Sequence, residues 1–290
     1  MLVIDKPVGP TSHDVVARVR RALLARRCGH GGTLDPPASG VLLVAVGRAT
    51  RLLRYVLDLE KHYRAEVVFG RSTSTLDDTG ELVAEVAMDG LTAEAVQAAA
   101  TAFVGTIAQV PPMVSAVKIG GRRLYQLARE GVEVERPPRE VRIERLALAP
   151  TADPLVYALD LECSSGTYVR SLAADLGEAL GGVAHLRGLR RIAIGPFEAA
   201  AAVPLAEVGP GDLRPALEIV AHLRPLQLTD ELLAAVAVGK ALDRRAVGAV
   251  GDGPFALTDG AGALVAVYES QGPERLKPSV VLVAPQAAGN

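Results

Sequence analysis

Apolar and polar positions along these 290 residues switch between a period of two and a helical period, and each switch predicts an element boundary. Residues 2–5, apolar from Leu2 to Ile4, read as a short buried strand, stopped by the turn chemistry of Lys6, Pro7, Val8, Gly9 and Pro10. Thr11 and Asp14 then have capping-box spacing, and Val15, Val16, Val19, Leu23 and Leu24 form the apolar stripe of a helix with arginines beside it. A glycine-rich loop leads to a strand at 41–46. Residues 61–70 alternate as a half-buried strand, and residues 72–80 form a polar turn. Leu91 and Val96 flank Thr92 as a hydrophobic staple for a helix reaching Phe103.

Between residues 111 and 138 the pattern weakens, with glycines, prolines and basic residues interleaved, which predicts a mobile excursion from the core. Residues 156–163 then read as a strand, and 170–180 as a helix carrying Leu172, Leu176 and Leu180 on one face. Arg170 is thereby placed at a strand-to-helix corner. Three prolines and two glycines between residues 203 and 223 mark a boundary. Beyond it come one helix at 229–242 and short strands at 255–257, 264–268 and 280–283. The pattern by itself gives an α+β class in two parts, residues 1–221 and a small β-rich module at 222–290.

Composition narrows the function classes. Hydrophobic residues make up 49%, yet no apolar run approaches the roughly 18 residues of a membrane span, so no membrane role is expected. The chain opens directly on a strand, leaving no room for a signal peptide, and its two cysteines, Cys28 and Cys163, allow at most one bridge. Both are expected reduced, in the cytoplasm. The net charge of -2 excludes a uniformly basic nucleic-acid binder, but the distribution is uneven. Arg18, Arg20, Arg21, Arg26 and Arg27 lie in a stretch without a carboxylate. Further basic clusters are Lys118 with Arg122 and Arg123, Arg187 with Arg190 and Arg191, and Arg244 with Arg245.

The loop at 29–40, GHGGTLDPPASG, sets His30 and Asp35 among small and turn-forming residues. Glycines at 29, 31 and 32 permit positive φ and close approach to a ligand, while Pro36 and Pro37 stiffen the chain after Asp35. Similar polar or aromatic residues sit at the ends of other apolar strands: Lys61-His62-Tyr63-Arg64, Ser165-Gly166-Thr167-Tyr168-Val169-Arg170 and Ala184-His185-Leu186-Arg187-Gly188-Leu189-Arg190-Arg191.

At these residues, with Asp5 to Ser12, Thr73 to Gly80 and Val110 to Lys118, the chain resembles the TruB family of tRNA pseudouridine synthases in order and in register to about residue 198. Gly31 stands where the family commonly has threonine, and Pro37 where it has leucine or methionine. The resemblance implies a pseudouridine synthase fold: a mixed, mostly antiparallel sheet flanked by helices, a mobile thumb at about 115–138, and a PUA-like β-barrel from residue 222. It implies isomerisation of uridine 55 in the tRNA T-loop after base flipping, without cofactor or metal, by a monomer needing no protein partner. Asp35 would be the catalytic carboxylate, and Arg170 its two-point partner. Tyr63 would stack on the uracil and place its phenol near C5. Tyr168 and Leu189 would wall the base, His30 would stack on displaced nucleotides, and Lys6 would support the pocket electrostatically. Lys118, Arg122, Arg123 and Tyr125 would close over RNA.

Two other readings were open on the residues. A non-catalytic RNA binder or tRNA folding chaperone would use the same basic surface, but a carboxylate at its deepest point repels phosphate. A phosphohydrolase lacks an Asp-x-Asp pair, a P-loop lacks Gly-Lys-Ser/Thr, and zinc lacks Cys-x-x-Cys.

Overall fold

The long strand Ala184–Ile194 runs through the middle of a ten-stranded sheet and decides which loops meet. The computed structural model describes residues 1–115, 118–132 and 134–283. The sheet order is Val203–Pro204, Leu2–Lys6, Ser39–Val46, Ala184–Ile194, Lys61–Phe69, Val156–Cys163, Arg139–Pro150 and Gly105–Gln109. Two of these neighbouring pairs are parallel, Leu2–Lys6 with Val203–Pro204 and Ser39–Val46 with Ala184–Ile194; the rest are antiparallel. The expected mixed, mostly antiparallel sheet is thus present. Cys28–Gly31 adds a further strand, paired to Ser39–Val46.

Local chemistry accounts for the elements that were legible. Thr11 accepts from the Asp14 amide at 3.1 Å while Asp14 accepts from the Thr11 amide at 2.9 Å, closing the capping box of helix Ser12–Ala22. Leu24 does not join its apolar face: it turns into the left-handed region at φ 47 and is 92% exposed. In Lys61–Phe69, Lys61, Tyr63, Ala65, Val67 and Phe69 all point inward, the period of a strand with one buried face. Ala184–Ile194 hides its strand character because Arg187, Gly188, Arg190 and Arg191 break the alternation. Register shifts at 187/190 and 191/193 absorb the irregularity.

Helices Ala93–Ala102 and Val169–Ala179 cover the main apolar layer, which joins Leu34 and Tyr63 to Leu172 and Leu176. The expected excursion contains the hairpin Lys118–Ile119 with Arg122–Arg123 and the helix Leu124–Arg129. The side chains of Lys118, Arg123 and Tyr125, named above for closure over RNA, lie outside the described residues.

The C-terminal strands curl into a five-stranded sheet, ordered Arg224–Gln227, Phe255–Thr258, Leu264–Gln271, Arg275–Val281 and Leu242–Asp243. The single helix expected at 229–242 is Asp230–Ala237, because Gly239, at φ 72, ends it and Leu242 enters a strand. This module does not stand apart. Met1, Val3, Ile219 and Val220 share one buried cluster with Ala256, Leu264, Val267 and Val280. Tyr55 also donates to Ser279 at 2.9 Å across the same junction.

Candidate active site

The loop from Gly32 to Ala38 is fixed at successive backbone groups by buried polar side chains. Ser12 donates its hydroxyl to the Leu34 carbonyl and accepts from the Leu34 amide, both at 2.9 Å. Arg191, fully buried, donates to the carbonyls of Gly32 at 3.2 Å, Thr33 at 3.3 Å and Val41 at 2.8 Å. Lys6 donates to the carbonyls of Pro7 at 3.0 Å, Pro36 at 3.3 Å and Ala38 at 2.6 Å. The Gly9 amide reaches the Pro36 carbonyl as well. Each bond leaves a buried carbonyl satisfied in one loop geometry only, so the loop is held from both sides. Asp35 is carried at its apex.

Arg170 approaches from the opposite wall. Its Nη2 donates to Asp35 Oδ2 at 2.7 Å and to the Val114 carbonyl at 2.8 Å, and its Nη1 donates to the Thr75 carbonyl at 2.8 Å. Its Nε lies 3.6 Å from Asp77, whose other oxygen accepts from Thr75 at 2.7 Å and from the Thr79 amide at 3.1 Å. The two-point grip on Asp35 expected from the sequence is therefore a one-point contact, because the remaining guanidinium donors serve Thr75, Val114 and Asp77. The Arg170 side chain is 6% exposed and that of Asp35 42%. The carboxylate is thus pinned at one oxygen and open at its other side.

That open side faces a cleft of about 1020 Å³. His13, Leu34, Thr75, Met113 and Val132 are among its walls. Leu189 lines a small hollow behind Asp35 together with Pro37, Leu186 and Arg170.

The other expected residues fall at different depths. Tyr63 is 9% exposed, in the apolar layer with Leu34 and Ala38. Burial pushes its phenol above the ordinary tyrosine range, so it is protonated at neutral pH. Tyr168 precedes helix Val169–Ala179 and is held by Gln109, which accepts from its amide at 2.7 Å and donates to its carbonyl at 3.1 Å. Its phenol is pushed up by burial too.

His30 lies in the strand Cys28–Gly31 rather than in a loop. Its ring meets that of His13 edge-on with centroids 5.3 Å apart, and burial lowers its pKa, leaving it neutral at pH 7. Lys6 offers no surface to a ligand. It is fully buried, and desolvation lowers its pKa to about 8.

The glycines also divide. Only Gly32 of the three takes positive φ, at 89, and Gly40 joins it at 103. A side chain at Gly40 would sit 2.1 Å from the Arg191 carbonyl, so the parallel pairing to Ala184–Ile194 requires glycine there. Gly31 is extended, and its reason is packing: a Cβ would lie 2.5 Å from Val56. Val56 fills the space that a larger residue at position 31 would need.

Several of these supports were not singled out in the sequence. Ser12 and Asp77 were within quoted motifs but carried no assigned role, Gln109 lies just before the Val110 to Lys118 motif, and Arg191 was counted in a basic cluster. That cluster is dispersed in the fold: Arg190 pairs with Asp5 at 2.8 and 3.0 Å, and Arg187 pairs with Glu66 at 2.7 Å. Spacing cannot distinguish a solvated arginine from one folded under a loop.

Residues 20–169 match the model of the TruB family pseudouridylate synthase N-terminal domain, and residues 170–226 match the tRNA pseudouridylate synthase B C-terminal domain. The chain belongs to the TruB family. It is accordingly a pseudouridine synthase, an isomerase. The tRNA pseudouridine synthase B of Symbiobacterium thermophilum is 55% identical over 217 residues, covering 74% of this chain and 72% of that protein. That of Mycobacterium tuberculosis strain H37Rv is 43% identical over 277 residues, covering 94% and 92%. Among solved structures, a chain of a Cbf5-Nop10-Gar1 complex superposes with a TM-score of 0.75 at 26% identity, covering 98% of this chain and 85% of that one. In this TruB-family chain the C-terminal family model ends at residue 226, so it covers the Ala184–Ile194 strand and little of the curled module. No helix among the described residues is long and apolar enough to cross a membrane.

Proposed function

We propose that this enzyme converts uridine 55 in the T-loop of tRNA to pseudouridine, with Asp35 as the catalytic carboxylate. The observation that carries the reading is the Asp35–Arg170 pair: a carboxylate 42% exposed to the cleft, 2.7 Å from a nearly buried guanidinium. The reaction breaks the bond from C1′ to N1, turns the base, and joins C1′ to C5. The hydrogen on C5 leaves and N1 gains one, so no electrons are exchanged with a cofactor. It needs a nucleophile or base at the sugar, a holder for the free base, and shielding from water.

Asp35 fits the first need, since the clamped loop and Arg170 direct one oxygen and leave the other accessible. Tyr63, Tyr168 and Leu189 serve the second as faces for the extruded base. The Tyr63 phenol, protonated at neutral pH, acts as a hydrogen donor or packing face rather than as a phenolate base. His30 takes part through His13, and Lys6 by holding the Asp35 loop. A uridine within a folded loop reaches a carboxylate at this depth only when flipped out of its stack. The names of the relatives, tRNA pseudouridine synthase B, support tRNA as the substrate. We place the enzyme in the cytoplasm, acting as a monomer on the T-arm, with residues 1–221 as the catalytic part and 222–290 as an RNA-contacting module.

Incubation with an unmodified tRNA transcript, followed by chemical mapping of pseudouridine, tests this. Product at position 55 alone is expected; no product, or product elsewhere, overturns the assignment.

A further inference from the structure

The basic clusters counted in the sequence separate into two kinds once the fold is formed. Some are spent inside the protein. Arg187 and Arg190 pair with Glu66 and Asp5; outside the clusters, Arg71 pairs with Glu85 at 2.8 Å and Arg145 lies within 3.4 Å of both Asp160 and Glu162. Arg122 pairs with Glu130, and Arg244 donates to Ser270 and to the Gly251 carbonyl, while Arg245 beside it is exposed without a side-chain bond among the described residues. Arg191 is buried.

Arg18, Arg20, Arg21, Arg26 and Arg27 differ. All five are exposed, and none makes a side-chain hydrogen bond or ion pair among the described residues. Asp14 is the acidic residue of their helix, four positions before Arg18, where an ion pair is ordinarily available. It is turned away, bound to the Thr11 amide at 2.9 Å and the Thr11 hydroxyl at 2.6 Å. After the helix the chain folds back, Leu24 donating to Arg21 and Ala25 to Arg20, so Arg26 and Arg27 follow directly on the last helical turn. Arg20 and Arg21 suit the negative end of the helix dipole, but that effect accounts for neither Arg18 nor Arg26 nor Arg27.

The patch also has a defined position. Ser12 and His13, the first residues of the same helix, line the cleft that holds Asp35. At 1.5 Å per residue, Arg18 lies about 9 Å and Arg21 about 13 Å along the axis from Ser12. A ligand seated over Asp35 and longer than one nucleotide has the length to reach from the cleft to these guanidinium groups.

We infer that Arg18, Arg20, Arg21, Arg26 and Arg27 form a phosphate-contact surface that takes the RNA backbone beside the flipped nucleotide. The inference rests on the proposed RNA substrate and adds where its backbone lies. Unpaired guanidinium groups bind phosphate through forked donors without reading sequence, so the patch supplies affinity and register while the cleft supplies chemistry. A polyanion fits better than an acidic protein face because five unpaired positive charges lie on the helix that begins at the cleft and on the chain just after it.

The test is the variant R18Q/R26Q/R27Q, which keeps good helix formers and leaves the two arginines of the last turn in place. Binding of a full tRNA transcript is measured from about 50 to 200 mM salt, with single-turnover rates at saturating enzyme and a thermal melt. Three lost phosphate contacts should lower the slope of log K against log salt by about 2 and raise Kd on the order of 10–100-fold near 0.1 M salt. The saturating rate and the melt should stay at wild-type values. The control R71Q, which breaks the exposed pair with Glu85, should leave the slope unchanged. A wild-type slope and Kd in the triple variant overturn the inference, as does a lost rate with intact affinity. Failure of the wild-type enzyme to form pseudouridine refutes the proposed function instead, so the two failures are distinguishable.

Discussion

Replacing Asp35 by asparagine separates the chemistry of the site from its stability. The pair with Arg170 spans 2.7 Å, but the carboxylate is 42% exposed, so solvent screens it and its contribution to folding is about 0–1 kcal/mol. Asparagine keeps a carbonyl oxygen for Arg170, and the loop bonds from Ser12, Arg191 and Lys6 all go to backbone atoms that the substitution leaves intact. The melting temperature of Asp35→Asn should therefore fall by no more than about 4 °C. Its activity should fall by at least about 10⁴-fold, the scale seen when a reacting side chain is removed from a preformed site. Arg170→Lys should show the opposite balance in stability. Lysine lacks the planar fork, and leaves the Thr75 and Val114 carbonyls and Asp77 short of donors in a buried setting, a loss of about 2–4 kcal/mol. Thermal melts, tRNA binding and single-turnover product formation on one set of preparations decide the matter. Appreciable turnover by verified Asp35→Asn would refute the catalytic role, and a collapse of its melt would refute the claim that the loop is held through its backbone.

Ser12→Ala should cost about 1–3 kcal/mol and lower the single-turnover rate with little change in tRNA affinity, because it frees Leu34 from its reciprocal bond; unchanged rate and melt would show that the clamp is redundant. Gly31→Thr should destabilise by about 1–3 kcal/mol through its clash with Val56, and Val56→Ala should recover part of that loss in a double-mutant cycle; additive effects would refute the packing account. Lys6 has a folded pKa of about 8 against 10.5 in the unfolded chain, so the unfolded state binds more protons between these values and the Lys6 contribution to stability rises with pH there. The stability of wild type relative to Lys6→Met, from melts at pH 8 to 10, should increase with pH, and a flat difference would contradict the burial of a cation. Removing residues 222–290 should weaken tRNA binding and flatten its salt dependence while sparing the saturating rate, but it also bares Met1, Val3 and Val220, so a lowered melt is expected; wild-type affinity in a folded truncation would exclude an RNA-contact role for the module.

Elements whose stabilising partners lie within a few residues were legible in the amino-acid order. The capping box of Thr11 and Asp14, the alternation of Lys61–Phe69 and the helix start at Thr92 are local interactions, so period and spacing report them directly. The family likeness rests on the same kind of information, and it points to Asp35, Arg170 and Leu189 from the amino-acid order alone.

Tertiary structure decided what depends on residues far apart in the chain. Arg187, Arg190 and Arg191 lie within five positions and are chemically alike, yet one binds Glu66, one Asp5, and one lies buried under the loop of Asp35. Gly31 and Gly32 are neighbours of one type, but the first is required by Val56 and the second by its own φ. Ser12 reaches Leu34 across 22 positions, and Arg170 reaches Thr75 across 95. Whether a polar side chain meets water, a carbonyl or a carboxylate is set by which strands become neighbours, and strand neighbours here are selected by burial of whole faces rather than by any single residue.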